Sequence, residues 1–266
     1  MQKIIYYLRD LYKNRFVIAG LAKNDFKARF ATSYFGIIWA YMQPLAIILV
    51  MWFVFEVGLR NPPIDEVPFI VWFIPGYISW SFFAEAVISV ANSFIEYQYL
   101  LKQVNFRVSI IPFIKIISSS FVHLAFMVFL FVIMLIYKVP LTLYSVQVVY
   151  YFFCAFVLLL ALGWMLASLQ VFIPDTGSIV NILVQIGFWA TPICWSPDNA
   201  DPVVQNILKL NPMYYICQGY RDSFLRKIYF WERPDMTLIF WIEVLVLLSI
   251  GIFTFKKLRP YLVDLI

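Results

Sequence analysis

Apolar residues run through this chain in long blocks separated by short clusters of charge, and the breaks mark out the elements. A helix needs about 20 mostly apolar residues to cross the hydrocarbon core of a bilayer. No charged residue lies between Arg29 and Glu56, which predicts a first span over 33–55 with Pro44 as a kink. A second span is predicted over 69–91, interrupted at Pro75-Gly76 and carrying Glu85. The third covers 116–137 and contains His123; the fourth covers 148–173, after an outer turn at 141–147. The fifth covers 179–195, and the sixth covers 236–255 with Glu243 inside it. Two stretches show other patterns. Over 1–30, Ile4, Leu8, Leu11 and Ile18 fall near helical spacing with Lys3, Arg9, Asp10 and Lys13 opposite, the pattern of an amphipathic helix lying in the membrane interface. Over 198–235, Pro202, Pro212, Tyr214, Tyr215, Tyr220, Tyr229 and Trp231 suggest short re-entrant helices, which irregular backbone permits only where it packs against protein. The expected fold is an all-α integral membrane protein with six transmembrane helices in a single domain over 1–266.

Composition supports a bilayer as the solvent. Of 266 residues, 63% are hydrophobic and 13% charged, against roughly 45–50% and about 25% in soluble domains. Aromatic residues make up 20% and the mean hydropathy is +0.84, too apolar for any ordinary partition between core and surface. Cys154, Cys194 and Cys217 are widely spaced among apolar residues, which excludes a disulfide framework or a zinc spacing. No cleavage site follows a short apolar region, so an uncleaved multi-pass protein is expected. Lys and Arg distribute unevenly across alternate loops: thirteen lie before span one, between spans two and three, or after span six, and seven lie on the other side. The positive-inside rule therefore predicts that both termini are cytoplasmic.

Chemistry-bearing motifs are few. There is no GxxxxGK[ST], so the chain has no P-loop for nucleotide phosphates, and no GxSxG, HExxH or CxxC. Glu85, Asp175 and Glu243 lie on different segments with no basic partner near by in sequence, and His123 stands alone. This favours transport over catalysis. Glu85 or Glu243 as a proton site remains an alternative, since a charge at bilayer depth is costly and usually functional. A proton-coupled secondary transporter would move substrate without an ATPase, but no inverted repeat supports that class. An integral membrane glycan-modifying enzyme is a further alternative, and would be active as a purified chain.

A set of motifs in a particular order narrows the choice. Arg29-Phe30-Ala31-Thr32-Ser33-Tyr34-Phe35-Gly36-Ile37-Ile38-Trp39 with Gln43-Pro44-Leu45 resembles the start of the first span in ABC-2-type permeases that export polysaccharides. Pro75-Gly76-Tyr77-Ile78-Ser79-Trp80 with Phe82-Phe83 resembles their second span, and Leu100 through Pro112 their cytoplasmic gate segment. Thr191-Pro192-Ile193, Asn211-Pro212-Met213 and Tyr220-Arg221 resemble their outer region. Two positions depart from the pattern: Phe106-Arg107-Val108 lacks a proline frequent there, and Pro174-Asp175 stands where R-D is frequent.

The resemblance implies the permease subunit of an exporter for O-antigen, teichoic acid or a related lipid-linked glycan, in a bacterial cytoplasmic membrane. It implies a homodimer working with two ATPase subunits. ATP and Mg would be bound by those partners, with no cofactor or metal on this chain and no nucleic-acid partner. An ABC-2 permease for a lipid or drug is the alternative within the class. Glycans present apolar C–H faces and hydroxyl edges, which Tyr and Trp match. Tyr34, Phe35, Trp39 and Tyr41 of span one with Phe188, Trp189 and Trp195 of span five are therefore the expected pore-lining set. Lys27 and Arg29 are the expected pair for the carrier's pyrophosphate. The amphipathic N-terminus and the segment 96–107, with Tyr97, Leu100, Leu101 and Val104 as an apolar stripe beside Lys102 and Arg107, are the expected docking elements for the ATPase.

Overall fold

In a computed structural model, residues 13–31, 33–60, 62–101 and 107–262 are described, Asn199 for its backbone alone. Among them there is no strand beyond one isolated bridge, Ile64 to Val67. Helix α1 covers Arg15–Arg29, and α2 covers Ile38–Trp52, continuing through Pro44 and closing in a π-helical turn at Phe53–Gly58. Gly36, with φ of 55°, makes the left-handed turn between them that a side chain would strain. Helix α3 covers Phe69–Ala91 and is followed by the short helices α4, Ser93–Glu96, and α5, Gln98–Leu101. Helix α6 covers Ile111–Ile136, α7 Val148–Phe172 and α8 Thr176–Ala190. Two short helices, α9 at Pro202–Leu208 and α10 at Pro212–Arg221, precede the last, α11, at Pro234–Leu258.

Five of these helical stretches are long and apolar enough to span a bilayer; the expected fifth span is shorter. Helix α8 has 15 residues, about 22 Å at 1.5 Å per residue against a hydrocarbon core of about 30 Å. It stops because Pro192 drives the preceding Thr191 into an extended conformation, with ψ of 133°. Helix α3 differs in the other direction: it runs unbroken through Pro75. Proline leaves the carbonyl four residues back, here that of Val71, without its helical donor; the adjacent Trp72 carbonyl accepts from the Arg221 guanidinium at 3.3 Å. Helix α6 begins earlier than 116 and takes in Lys115, which sequence places in a loop.

Local rules explain several starts. Asp201 and Asn211 cap α9 and α10 by accepting from the Val203 and Met213 amides at 2.8 and 3.0 Å, and each is followed by the proline that suits the first helical turn. In lipid, helices associate through close packing more than through apolar burial. Helices α7 and α11 approach so closely at Gly251 that a Cβ there would lie 2.3 Å from the Ala161 carbonyl oxygen. The main core joins α3, α6, α7, α10 and part of α11. A second core at the α1 end gathers Ile18, Ala22, Phe94, Leu101, Ile111, Trp164 and Phe255. Helices α2 and α8 lie at the edge of the main core: Ile48 is the one buried residue of α2, and Thr176 and Val180 are those of α8, with Ile48 and Val180 joining that core.

Of the two short helices between α8 and α11, α9 is mostly exposed, whereas Met213 to Arg221 of α10 are all buried. Gln147 pins the chain beyond α10 by donating to the Ile228 carbonyl at 2.7 Å and accepting from the Phe230 amide at 3.0 Å.

Candidate functional site

Helices α2, α3, α6 and α8 enclose a cleft of about 870 Å³. Its walls are rings interleaved with polar tips. Trp39, Tyr77, Trp80, Phe188 and Trp189 supply the aromatic surface, and Gln43, Ser81, Asn181 and Gln185 the polar one. Ser81, Glu85, Ser89 and Asn92 line it together because spacings of three and four residues lie on one helix face. Asn92 donates to the Ile88 carbonyl at 3.1 Å and Asn181 to the Gly177 carbonyl at 2.8 Å.

At one end the cleft meets a cluster of charges. Asp25 and Arg29 face the bundle from successive turns of α1, with Arg29 donating to Asp25 at 3.0 and 3.2 Å. Arg29 also donates to Glu85 at 2.7 Å, Ser89 at 2.8 Å and Ser119 at 3.4 Å. Asp25, 6% exposed, accepts from Lys115 at 2.6 Å and from the Tyr97 hydroxyl at 2.9 Å. Buried Lys115 in turn bonds Glu96. Burial is the largest single influence on Asp25 and pushes its pKa up, but Lys115 and Arg29 together outweigh it and hold the carboxyl below the ordinary range.

Glu85 is therefore not the isolated carboxylate that sequence suggests: its partner lies 56 residues away on a different helix. The expected Lys27 and Arg29 pair is separated instead. Two residues apart on a helix, they point to different sides: Lys27 is exposed, and Arg29 lines the cleft. Of the expected aromatic set, Trp39, Phe188 and Trp189 come together in the cleft. Phe35 packs edge-on against Trp39, and Tyr34 is 98% exposed at the α1–α2 turn. Tyr41 packs against Phe126, and Trp195 donates to the Trp189 carbonyl at 3.1 Å; neither reaches the cleft. Tyr77 and Trp80, which along the chain are only part of the second-span motif, supply rings on the α3 wall.

The segment expected to dock a partner is turned around. Tyr97, Leu100 and Leu101 are buried in the second core of the chain itself, so their stripe faces inward, while Ile95, Glu96, Gln98 and Tyr99 are exposed. Arg107 is half-buried at the start of the turn Val108–Ile110, whereas Lys102 and Val104, and residues 1–12 of the expected amphipathic N-terminus, lie outside the described residues.

At the opposite end from α1, the separate motifs of the outer region converge on one side chain. Arg221, fully buried, donates to the Pro192 and Ile193 carbonyls at 2.7 Å each and stacks its guanidinium 3.5 Å from the Trp72 ring centroid. Gly76 makes room for it, since a Cβ there would lie 2.8 Å from Nη2. Asn211 donates to the Thr191 hydroxyl at 2.8 Å, and Tyr220 bonds His123 at 3.0 Å. Burial lowers the Arg221 pKa to about 10, which leaves it charged at neutral pH.

Apolar spanning helices around a partly aromatic, partly polar cleft with a charged mouth are the architecture of a multi-pass membrane protein. The sequence profile of the ABC-2 type transporter family matches residues 17–225, and the chain belongs to that family. It is similar to the O-antigen export system permease protein RfbA of Klebsiella pneumoniae, 24% identical over 264 residues that cover 95% of this chain and 93% of the relative. It is also similar to the protein of that name from Myxococcus xanthus, 26% identical over 223 residues covering 83% and 85% of the two chains.

Proposed function

We propose that this ABC-2 permease moves a lipid-linked polysaccharide across the bacterial cytoplasmic membrane as a homodimer driven by two separate ATPase subunits. The observation that carries the reading is the cleft. Rings from α2, α3 and α8 offer flat faces for sugar C–H surfaces, and the amides and hydroxyls between them suit sugar hydroxyls. Such contacts are weak and repeated, as passage requires: a chain must enter and also leave. Similarity to O-antigen export permeases at 24% and 26% identity, over 95% and 83% of this chain, supports the choice of a glycan over a drug or lipid.

The uncovered faces of α2 and α8 border the cleft, and a second copy placed against them would close it into a passage around a two-fold axis. Arg29 is the group for a pyrophosphate at the cleft mouth, taking the phosphate oxygens in exchange for Glu85. The exposed face of 95–99 is the docking surface for the ATPase, with both termini and α1 on the cytoplasmic side. Co-purification with an ATPase, followed by turnover in nanodiscs with and without lipid-linked glycan, tests the reading. Stimulation by the glycan is expected; turnover indifferent to the glycan but raised by a drug or a free lipid would overturn it.

A further inference from the structure

The charged cluster at the cleft mouth divides one carboxylate between two sets of partners. Asp25 Oδ2 serves the cleft, accepting from Arg29 through Nε and Nη2. Asp25 Oδ1 serves the stretch after α3, accepting from the Tyr97 hydroxyl at 2.9 Å and from Lys115, which also bonds Glu96. Tyr97 and Glu96 are neighbours in the segment next to α3, so both change partners when that segment moves. Among the described residues the cluster holds three carboxylates, Asp25, Glu85 and Glu96, against two cations, Arg29 and Lys115. An incoming anion has to draw Arg29 away from the carboxylates that already hold it.

We propose that Asp25 is a positioning residue whose carboxylate, shared among Arg29, Tyr97 and Lys115, sets how firmly Arg29 is held and so adjusts the affinity of the cleft mouth for a phosphate group. A carboxylate has a limited number of acceptor sites, and donors on one oxygen draw charge from the other. In a buried site that competition is strong, because water does not screen it. Loss of the Tyr97 hydroxyl from Oδ1 concentrates charge toward Oδ2, tightens the pair with Arg29 and weakens phosphate binding. Displacement of the segment around Glu96 and Tyr97 is thereby transmitted through Asp25 to a cation on the cleft wall. The proposal rests on Arg29 being the anion-binding group of the cleft.

The test uses the full chain in phosphatidylcholine nanodiscs, titrated with inorganic pyrophosphate and read by fluorescence of the cleft indoles of Trp39, Trp80 and Trp189. Arg29→Gln should abolish saturable binding; if it does not, the anion-binding reading of Arg29 fails and takes the proposal with it. With that control in place, Tyr97→Phe, which changes no charge, should weaken binding about twofold, since one hydrogen bond alters its neighbour on the same carboxylate by roughly 10–30% of a charge-assisted bond. Asp25→Asn should tighten binding several-fold, and adding Tyr97→Phe to it should have no further effect. Unchanged affinity in Tyr97→Phe, or the same loss with Asp25 replaced, would overturn the role of Asp25 while leaving Arg29 in place. Tyr97→Phe removes a single oxygen and stands as a sufficient test if Asp25→Asn fails to fold.

Discussion

Replacing Arg221 by Met should destabilise the protein more than any exchange of an exposed charge, although the substitution removes a buried cation from an apolar setting. The side chain is 0% exposed, and two of its bonds, at 2.7 Å, go to the Pro192 and Ile193 carbonyls just beyond α8. Neither carbonyl has a backbone donor among the described residues. Leaving a buried carbonyl without a partner costs about 1–3 kcal/mol, so two cost about 2–6 kcal/mol, and relief from burying a charge offsets part of that. The net loss expected is about 3 kcal/mol. Lys in place of Arg should do little better, since an ammonium offers neither the planar fork for two carbonyls nor a face to stack on Trp72.

Reversible unfolding in mixed micelles, followed by tryptophan fluorescence, measures the difference. Gly76→Ala supplies the control: its Cβ would press on the guanidinium, so it should be costly in the native chain and much less so beside Arg221→Met. A loss below about 1 kcal/mol in Arg221→Met, or full additivity of the two substitutions, would refute the assignment of Arg221 as the tie between α3, α8 and α10.

Further consequences can be checked separately. Burial raises the Asp222 pKa from 3.8 to about 6 against the opposing pull of Arg233 and Arg226. An acid raised on folding favours the folded state below its unfolded pKa, and that contribution disappears as pH rises through about 6. Stability relative to Asp222→Asn should therefore fall by up to about 3 kcal/mol between pH 4 and 7, measured by unfolding at each pH. Trp39→Ala and Trp189→Ala should lower glycan export while leaving membrane assembly intact, because both rings line the cleft and are exposed; normal export from both would remove them from the passage. Gly251→Val should separate α7 from α11 and lower the unfolding midpoint, since even a Cβ meets the Ala161 carbonyl.

Periodicity and charge placement were enough to identify a helical membrane protein, and the ordered motifs were enough to identify its family. Long uncharged blocks have one solution in a bilayer, the hydrogen-bonded helix. Sequence did not reveal why the motifs exist. Pro75-Gly76, Thr191-Pro192, Asn211-Pro212 and Tyr220-Arg221 read as four separate signatures, yet three of them meet at Arg221 and the fourth, Asn211-Pro212, is tied to them through Thr191. The apolar stripe of Tyr97, Leu100 and Leu101 was legible as a stripe, but periodicity does not say whether a partner or the same chain covers it.

What residue order settles in this protein is local: which stretches are helical, where caps and prolines begin them, and which residues share a face. Pairing across distance is different in kind. Glu85 looks solitary along the chain because Arg29 lies 56 positions earlier, and Lys115 looks like a loop cation because Asp25 lies 90 positions earlier. Charges inside a membrane protein are tolerated when partners satisfy them, and those partners come from whichever helix the packing brings near. Packing of α1 against α3 and α6 converts scattered charges into a shared network at the mouth of a cleft, an arrangement that exists only once the helices are assembled.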